Sequence, residues 1–151
     1  MRIQQSGNQL IMLISIVFLI VILTSCGGLQ DWEYDKLPNN YEIWRINSQD
    51  IVLMKNDDSA ERVISRYILE FCYNDSYIGI KKIMVDESIP YNEMLIEEMD
   101  ATNPSYFLVD TVNDTVMGPY TSEEYTIKIE ELEIKSMCDW IKTVPKPQGA
   151  K

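Results

Sequence analysis

The stretch Tyr67–Lys82, YILEFCYNDSYIGIKK, decides the fold. Two arms rich in β-branched and aromatic residues flank Asn74-Asp75-Ser76. Asn and Asp suit such a loop because they tolerate left-handed backbone angles and bond their own main chain. The first arm reaches back to Arg62 and the second forward to Val85, so each is long enough for a strand. On the first arm Tyr67, Leu69, Phe71 and Tyr73 alternate with Arg66, Ile68, Glu70 and Cys72. A period of two with one aromatic face predicts a half-buried antiparallel strand.

Working outward, two more hairpins of the same kind appear. YEIWRI (Tyr41–Ile46) and IVLMK (Ile51–Lys55) flank the loop NSQD. YFLVDTV (Tyr106–Val112) and TVM (Thr115–Met117) flank Asn113-Asp114, and CDWIKTV supplies a last strand. Successive hairpins predict an antiparallel meander. Two helices are expected beside it. YNEMLIEEMD (Tyr91–Asp100) follows Pro90 and ends before Pro104, which biases Asn103 away from helix. GPYTSEEY opens the second: Thr121 and Glu124 form a capping box, in which hydroxyl and carboxylate each bond a free backbone amide. Tyr125, Ile129 and Leu132 would share its buried face; TIKI alternates well enough for a strand, and the cap favours helix. The expected fold is α+β, an antiparallel meander of about five to seven strands with a C-terminal-half helix packed on one face.

The segment before the fold is of another kind. From Leu10 to Leu23 there are 14 residues of which only Ser15 is polar. A bilayer span wants about 20, so the run fits the apolar core of a secretory signal peptide better than a membrane anchor. LTSC (Leu23–Cys26) then resembles the lipobox of bacterial lipoproteins. That resemblance implies cleavage between Ser25 and Cys26 and a diacylglyceryl thioether on Cys26, whose thiolate is the nucleophile the reaction needs. The competing reading is an uncleaved signal anchor with a chance cysteine. The expected organisation is a signal peptide over 1–25, a lipidated cysteine and flexible tether over 26–40, one domain over 41–144, and a disordered tail over 145–151.

Removing 25 of 151 residues leaves 126, enough for one core. The leader holds one of 13 basic residues and none of 24 acids, so the remainder carries 12 against 24. That surface repels phosphate backbones, which disfavours nucleic acid as a partner. It also repels anionic lipid, leaving the lipid on Cys26 as the membrane contact. Export allows a Cys72–Cys138 disulfide, although sequence alone does not bring the two Cα atoms into bridging range.

Little chemistry is signalled. The chain has no histidine, which removes the usual triads and the commonest zinc ligand. Neither Cys72 nor Cys138 sits in a Cys-x-x-Cys pair, no glycine-rich phosphate loop exists, and DTVNDTVMG lacks the acids of a calcium loop. No catalytic residue, metal or cofactor is expected. The acidic doublets Asp57-Asp58, Asp86-Glu87, Glu97-Glu98 and Glu123-Glu124 suit turns, helix starts and solvated faces. Nine tyrosines and three tryptophans are the remaining feature, and Tyr is favoured at binding surfaces as well as in strands.

LPNNYEIWRIN, the YILEFCYNDSYIGIKK hairpin and YFLVDTVNDTVMGPYTSEEY together resemble a family of small Gram-positive lipoproteins of unknown function. The resemblance runs from Leu37 to about Trp140 and implies no activity. The expected function is a non-enzymatic interaction module, lipid-anchored on the outer face of the cytoplasmic membrane, meeting an unknown protein or wall partner. An immunity-type or transporter-accessory lipoprotein is the alternative. A carboxylate-dependent hydrolase of wall glycans is a more distant one.

Overall fold

A two-residue turn organises the first sheet. Strand β2 (Tyr41–Asn47) and strand β3 (Asp50–Lys55) pair through to Asn47 opposite Asp50, so only Ser48 and Gln49 turn the chain. The Asn47 side chain holds the turn by accepting from the Gln49 amide at 2.8 Å. The loop is thus shorter than NSQD, because the strands continue into its two end residues. The computed structural model describes residues 31–58, 60–84, 102–134 and 136–151. The helix expected over Tyr91–Asp100 lies outside them.

The fold begins earlier than the sequence suggests. Strand β1 (Trp32–Tyr34) pairs antiparallel with β2, and Trp32, Tyr34 and Leu37 are buried in the core. The tether expected up to residue 40 therefore includes a strand and a short 3-10 turn over Pro38–Asn40. The tail is ordered too. Lys151 and Glu33 exchange backbone hydrogen bonds of 2.8 and 3.4 Å, and Lys151 pairs with Asp35. An edge strand presents unpaired amides and carbonyls, and the final residue satisfies those of β1.

The run Arg62–Tyr73 is two strands, not one. Strand β4 (Glu61–Ile64) completes the first sheet, in the order β1-β2-β3-β4. After Ser65–Tyr67 the chain enters strand β5 (Ile68–Tyr73), in the second sheet. Strands β6 (Tyr77–Lys82), β7 (Ser105–Asp110), β8 (Thr115–Tyr120) and β9 (Ile141–Lys142) join it in the order β8-β7-β6-β5-β9. The α+β antiparallel architecture is observed, with nine described strands divided between two sheets.

The two sheets share one core. Ile43, Ile51 and Leu53 from the first meet Ile68, Phe71, Ile78, Ile80 and Val109 from the second. The Tyr34 ring lies edge-on to Phe71, 5.0 Å between centroids, and its hydroxyl pairs with that of Tyr73 at 2.9 Å. The opposite side of the second sheet carries helix α1 (Ser122–Glu131), which contacts β7 and β8. Its capping box is complete: the Glu124 amide donates to Thr121 Oγ1 at 3.2 Å, and the Thr121 amide donates to Glu124 Oε2 at 2.8 Å. A ten-residue helix is marginal alone, so docking must hold it. Tyr125 supplies that docking as its buried residue, whereas Leu132, expected on the same face, is exposed.

Candidate binding groove

A β-bulge determines which side chains face the helix. Ile68 pairs with Lys82, but Glu70 pairs with Lys81, so Leu69 is an extra residue on β5. Ile68 and Phe71 consequently both enter the core, which strict alternation would forbid. Glu70 is turned outward beside Lys81. This is why the expected face Tyr67, Leu69, Phe71, Tyr73 is broken.

Beyond the bulge, cross-strand register aligns one row over all five strands. Lys142 lies opposite Glu70, Glu70 opposite Lys81, Lys81 opposite Tyr106, and Tyr106 opposite Tyr120. Lys81 Nζ is 2.6 Å from Glu70 Oε2, and both side chains are about four-fifths buried, with 19% and 22% of their surface exposed. The same ammonium lies 4.2 Å from the centre of the Trp140 ring and 5.8 Å from that of Tyr106. Ion pair and ring faces together hold Lys81 in place, and removing either partner of so buried a pair would strand a charge.

The next row is Cys72, Gly79, Leu108 and Met117. Here Tyr125 comes down from α1, and only glycine leaves room: a Cβ on Gly79 would collide with the Tyr125 hydroxyl and lie 2.8 Å from Cys72 Sγ. Tyr125, Tyr106 and Trp140 form a three-ring cluster, with centroids 5.3 to 6.1 Å apart. Burial drives the Tyr125 hydroxyl well above the usual phenol range. A second bulge adjusts β8 to this packing. Gly118 has φ 119°, and a side chain there would meet the Tyr106 carbonyl at 2.7 Å.

Beside the three-ring cluster lies an open groove of about 610 Å³, lined by Tyr67, Leu69, Glu70, Lys81, Pro104 and Lys142, among others. Tyr67 and Tyr106 read as aromatic strand residues in the sequence, whereas the convergence of Lys81, Lys142 and Trp140 does not show there. Their meeting depends on a bulge and on β9 joining beside β5, neither of which leaves a periodic trace. Two lysines closing a strand otherwise made of apolar residues were the available signal.

The residues singled out from sequence fall elsewhere. Ser25 and Cys26 lie outside the described residues. Cys72 is buried beneath α1 and Cys138 is exposed, and both are free thiols, so the Cys72–Cys138 bridge is not formed in this structure. Burial pushes the Cys72 thiol up to about 12, leaving it protonated and unreactive near neutrality. Cys138 instead lies against β5: its amide donates to the Tyr73 carbonyl at 2.9 Å, and its sulfur accepts from the Tyr73 amide at 3.1 Å. Among the described acidic doublets, Asp57-Asp58 is exposed and Glu123-Glu124 opens α1. Asp86-Glu87 and Glu97-Glu98 lie outside the described residues. Among the described residues no three His, Cys, Asp or Glu side chains gather as a metal site would require.

Two antiparallel sheets around one core, with a capped helix over the second, define a mostly β α+β domain. The chain belongs to the DUF3997 family of proteins of unknown function, whose model matches residues 38–142. That span holds the bulge, the Lys142–Tyr120 row and α1, while β1 and the C-terminal residue that pairs with it lie outside it. No curated protein and no solved structure matches the chain.

Proposed function

We propose that this protein is a non-enzymatic binding module, anchored by lipid on Cys26 at the outer face of the cytoplasmic membrane, with the groove beside the Tyr125–Tyr106–Trp140 cluster as its contact site. The observation that carries the binding role is the row Lys142–Glu70–Lys81–Tyr106, four residues of neighbouring strands that all line the groove. It sets donors, an acceptor and a ring side by side on sheet strands, where they are held rigidly. Glu70, within the row, is already engaged by Lys81, so it stands in the groove wall as a paired acceptor.

The anchor rests on LTSC, which begins at the last residue of the 14-residue apolar run. Two acyl chains on one cysteine hold a protein stably, because each buried methylene contributes about 0.8 kcal/mol. Metabolic labelling with a fatty-acid probe tests it. Cys26→Ser is expected to abolish labelling and leave the precursor at full length. Unchanged labelling and mature size in that variant would overturn the anchor.

A further inference from the structure

We infer that the groove takes a small monoanionic ligand, a carboxylate attached to an apolar or ring-shaped body. This deepens the binding role proposed above and is independent of the anchor. The charge pattern carries it. The chain as a whole has 24 acids against 13 basic residues, yet the groove reverses that balance, with Lys81 and Lys142 against Glu70. Lys81 is consumed by its bond to Glu70. Lys142 lies opposite the same Glu70 from the other side, is exposed, and has no ion-pair partner among the described residues. Among the described residues one positive charge is therefore left over at the groove, and it calls for one negative charge.

A polyanion does not suit the position, because the net-acidic chain repels it in proportion to its charge. Phosphate is usually held by arginine forks, helix N-termini or clustered backbone amides. The lining residues include no arginine, and α1 is not among them. A lone ammonium suits a carboxylate. The rest of the wall is mostly apolar: Leu69, Ile83, Pro104 and Val144 beside the rings of Tyr67 and Tyr106, with Thr102 and Thr143 as its two polar members. About 610 Å³ lies in the range of sites that hold one small organic molecule.

Calorimetric titration of the full chain in a neutral detergent tests this, with phenylacetate, phenylacetamide and phenyl phosphate as probes. Phenylacetate is expected to bind, and the uncharged amide to bind about tenfold more weakly, as loss of a charge-assisted bond implies. Lys142→Met should weaken phenylacetate by a similar factor, and Lys142→Arg should restore it. Cys26→Ser should leave it unchanged, which separates failure of the groove from failure of the anchor. Equal binding of acid and amide, indifference to Lys142→Met, or no binding by any probe would overturn the inference. Tighter binding of phenyl phosphate than of phenylacetate would overturn the choice of carboxylate.

Discussion

The Tyr41 hydroxyl donates to Asp114 Oδ1 at 3.0 Å, joining the start of β2 in the first sheet to the β7–β8 turn of the second. Lys55 reaches the same carboxylate at 2.5 Å, and Asn39 Nδ2 donates to Thr111 Oγ1 at 2.9 Å nearby. Asn39, Asn40 and Asp114 all have φ between 51° and 63°, a region Asn and Asp enter more readily than other side chains do. The blocks LPNNY and DTVND, far apart in sequence, thus meet as one latch between the sheets.

This latch is expected to be acid-sensitive. Hydrogen bonds from Lys55 and then Tyr41 hold the Asp114 carboxyl below its ordinary range. A depressed folded-state value means its stabilisation is complete above the unfolded value near pH 4 and is lost as pH falls through the lower folded value. Asp35, held down chiefly by Lys151, and Asp110, held down chiefly by Asn113, act in the same direction. Thermal melts between neutral pH and about pH 2.5 should show a falling Tm. Asp114→Asn should flatten part of that slope, and Tyr41→Phe should lower Tm by a few degrees at neutral pH. A slope identical in Asp114→Asn would remove Asp114 from the latch.

Gly79 and Tyr125 should behave as a coupled pair. Gly79→Ala forces a methyl group into the space of the Tyr125 hydroxyl and Cys72 Sγ, an overpacking that costs about 1–3 kcal/mol. Tyr125→Phe removes part of the obstruction, so the double variant should be more stable than the two single effects sum to. Denaturant melts of the four proteins measure the coupling. Strict additivity would mean that α1 does not rest on this glycine.

Removing the Thr121 hydroxyl should loosen α1 from its start. The Glu124 amide loses its acceptor, so Thr121→Ala is expected to cost about 1 kcal/mol and to speed amide exchange in the first turn of the helix. Exchange rates unchanged at Glu124 would contradict the capping role.

Local signals explain what sequence reading reached. Thr121 and Glu124 lie three residues apart and Asn47 bonds Gln49, two residues away, so the cap and the hairpin turns depend on near neighbours alone. The division into two sheets was hidden because Arg62–Tyr73 reads as one alternating run, and the break at Ser65–Tyr67 carries neither Gly nor Pro. Strand β1 is not legible because its burial rests on Trp32 and Tyr34, two aromatics in a segment poor in aliphatics. The tail's order is not legible because it comes from the unpaired edge of β1, more than a hundred residues away in sequence. The groove was illegible for the same reason. Lys142, Glu70 and Lys81 belong to three strands, and only a bulge at Leu69 turns them to one face.

Labelling of Cys138 on intact cells tests the proposed extracytoplasmic placement most directly. The exposed Cys138 thiol should react with a membrane-impermeant maleimide, while Cys72 stays shielded beneath α1 and the proposed lipid would block Cys26. One label per chain on intact cells, lost in Cys138→Ser, is the predicted result. Labelling that appears only after the cells are lysed would contradict it.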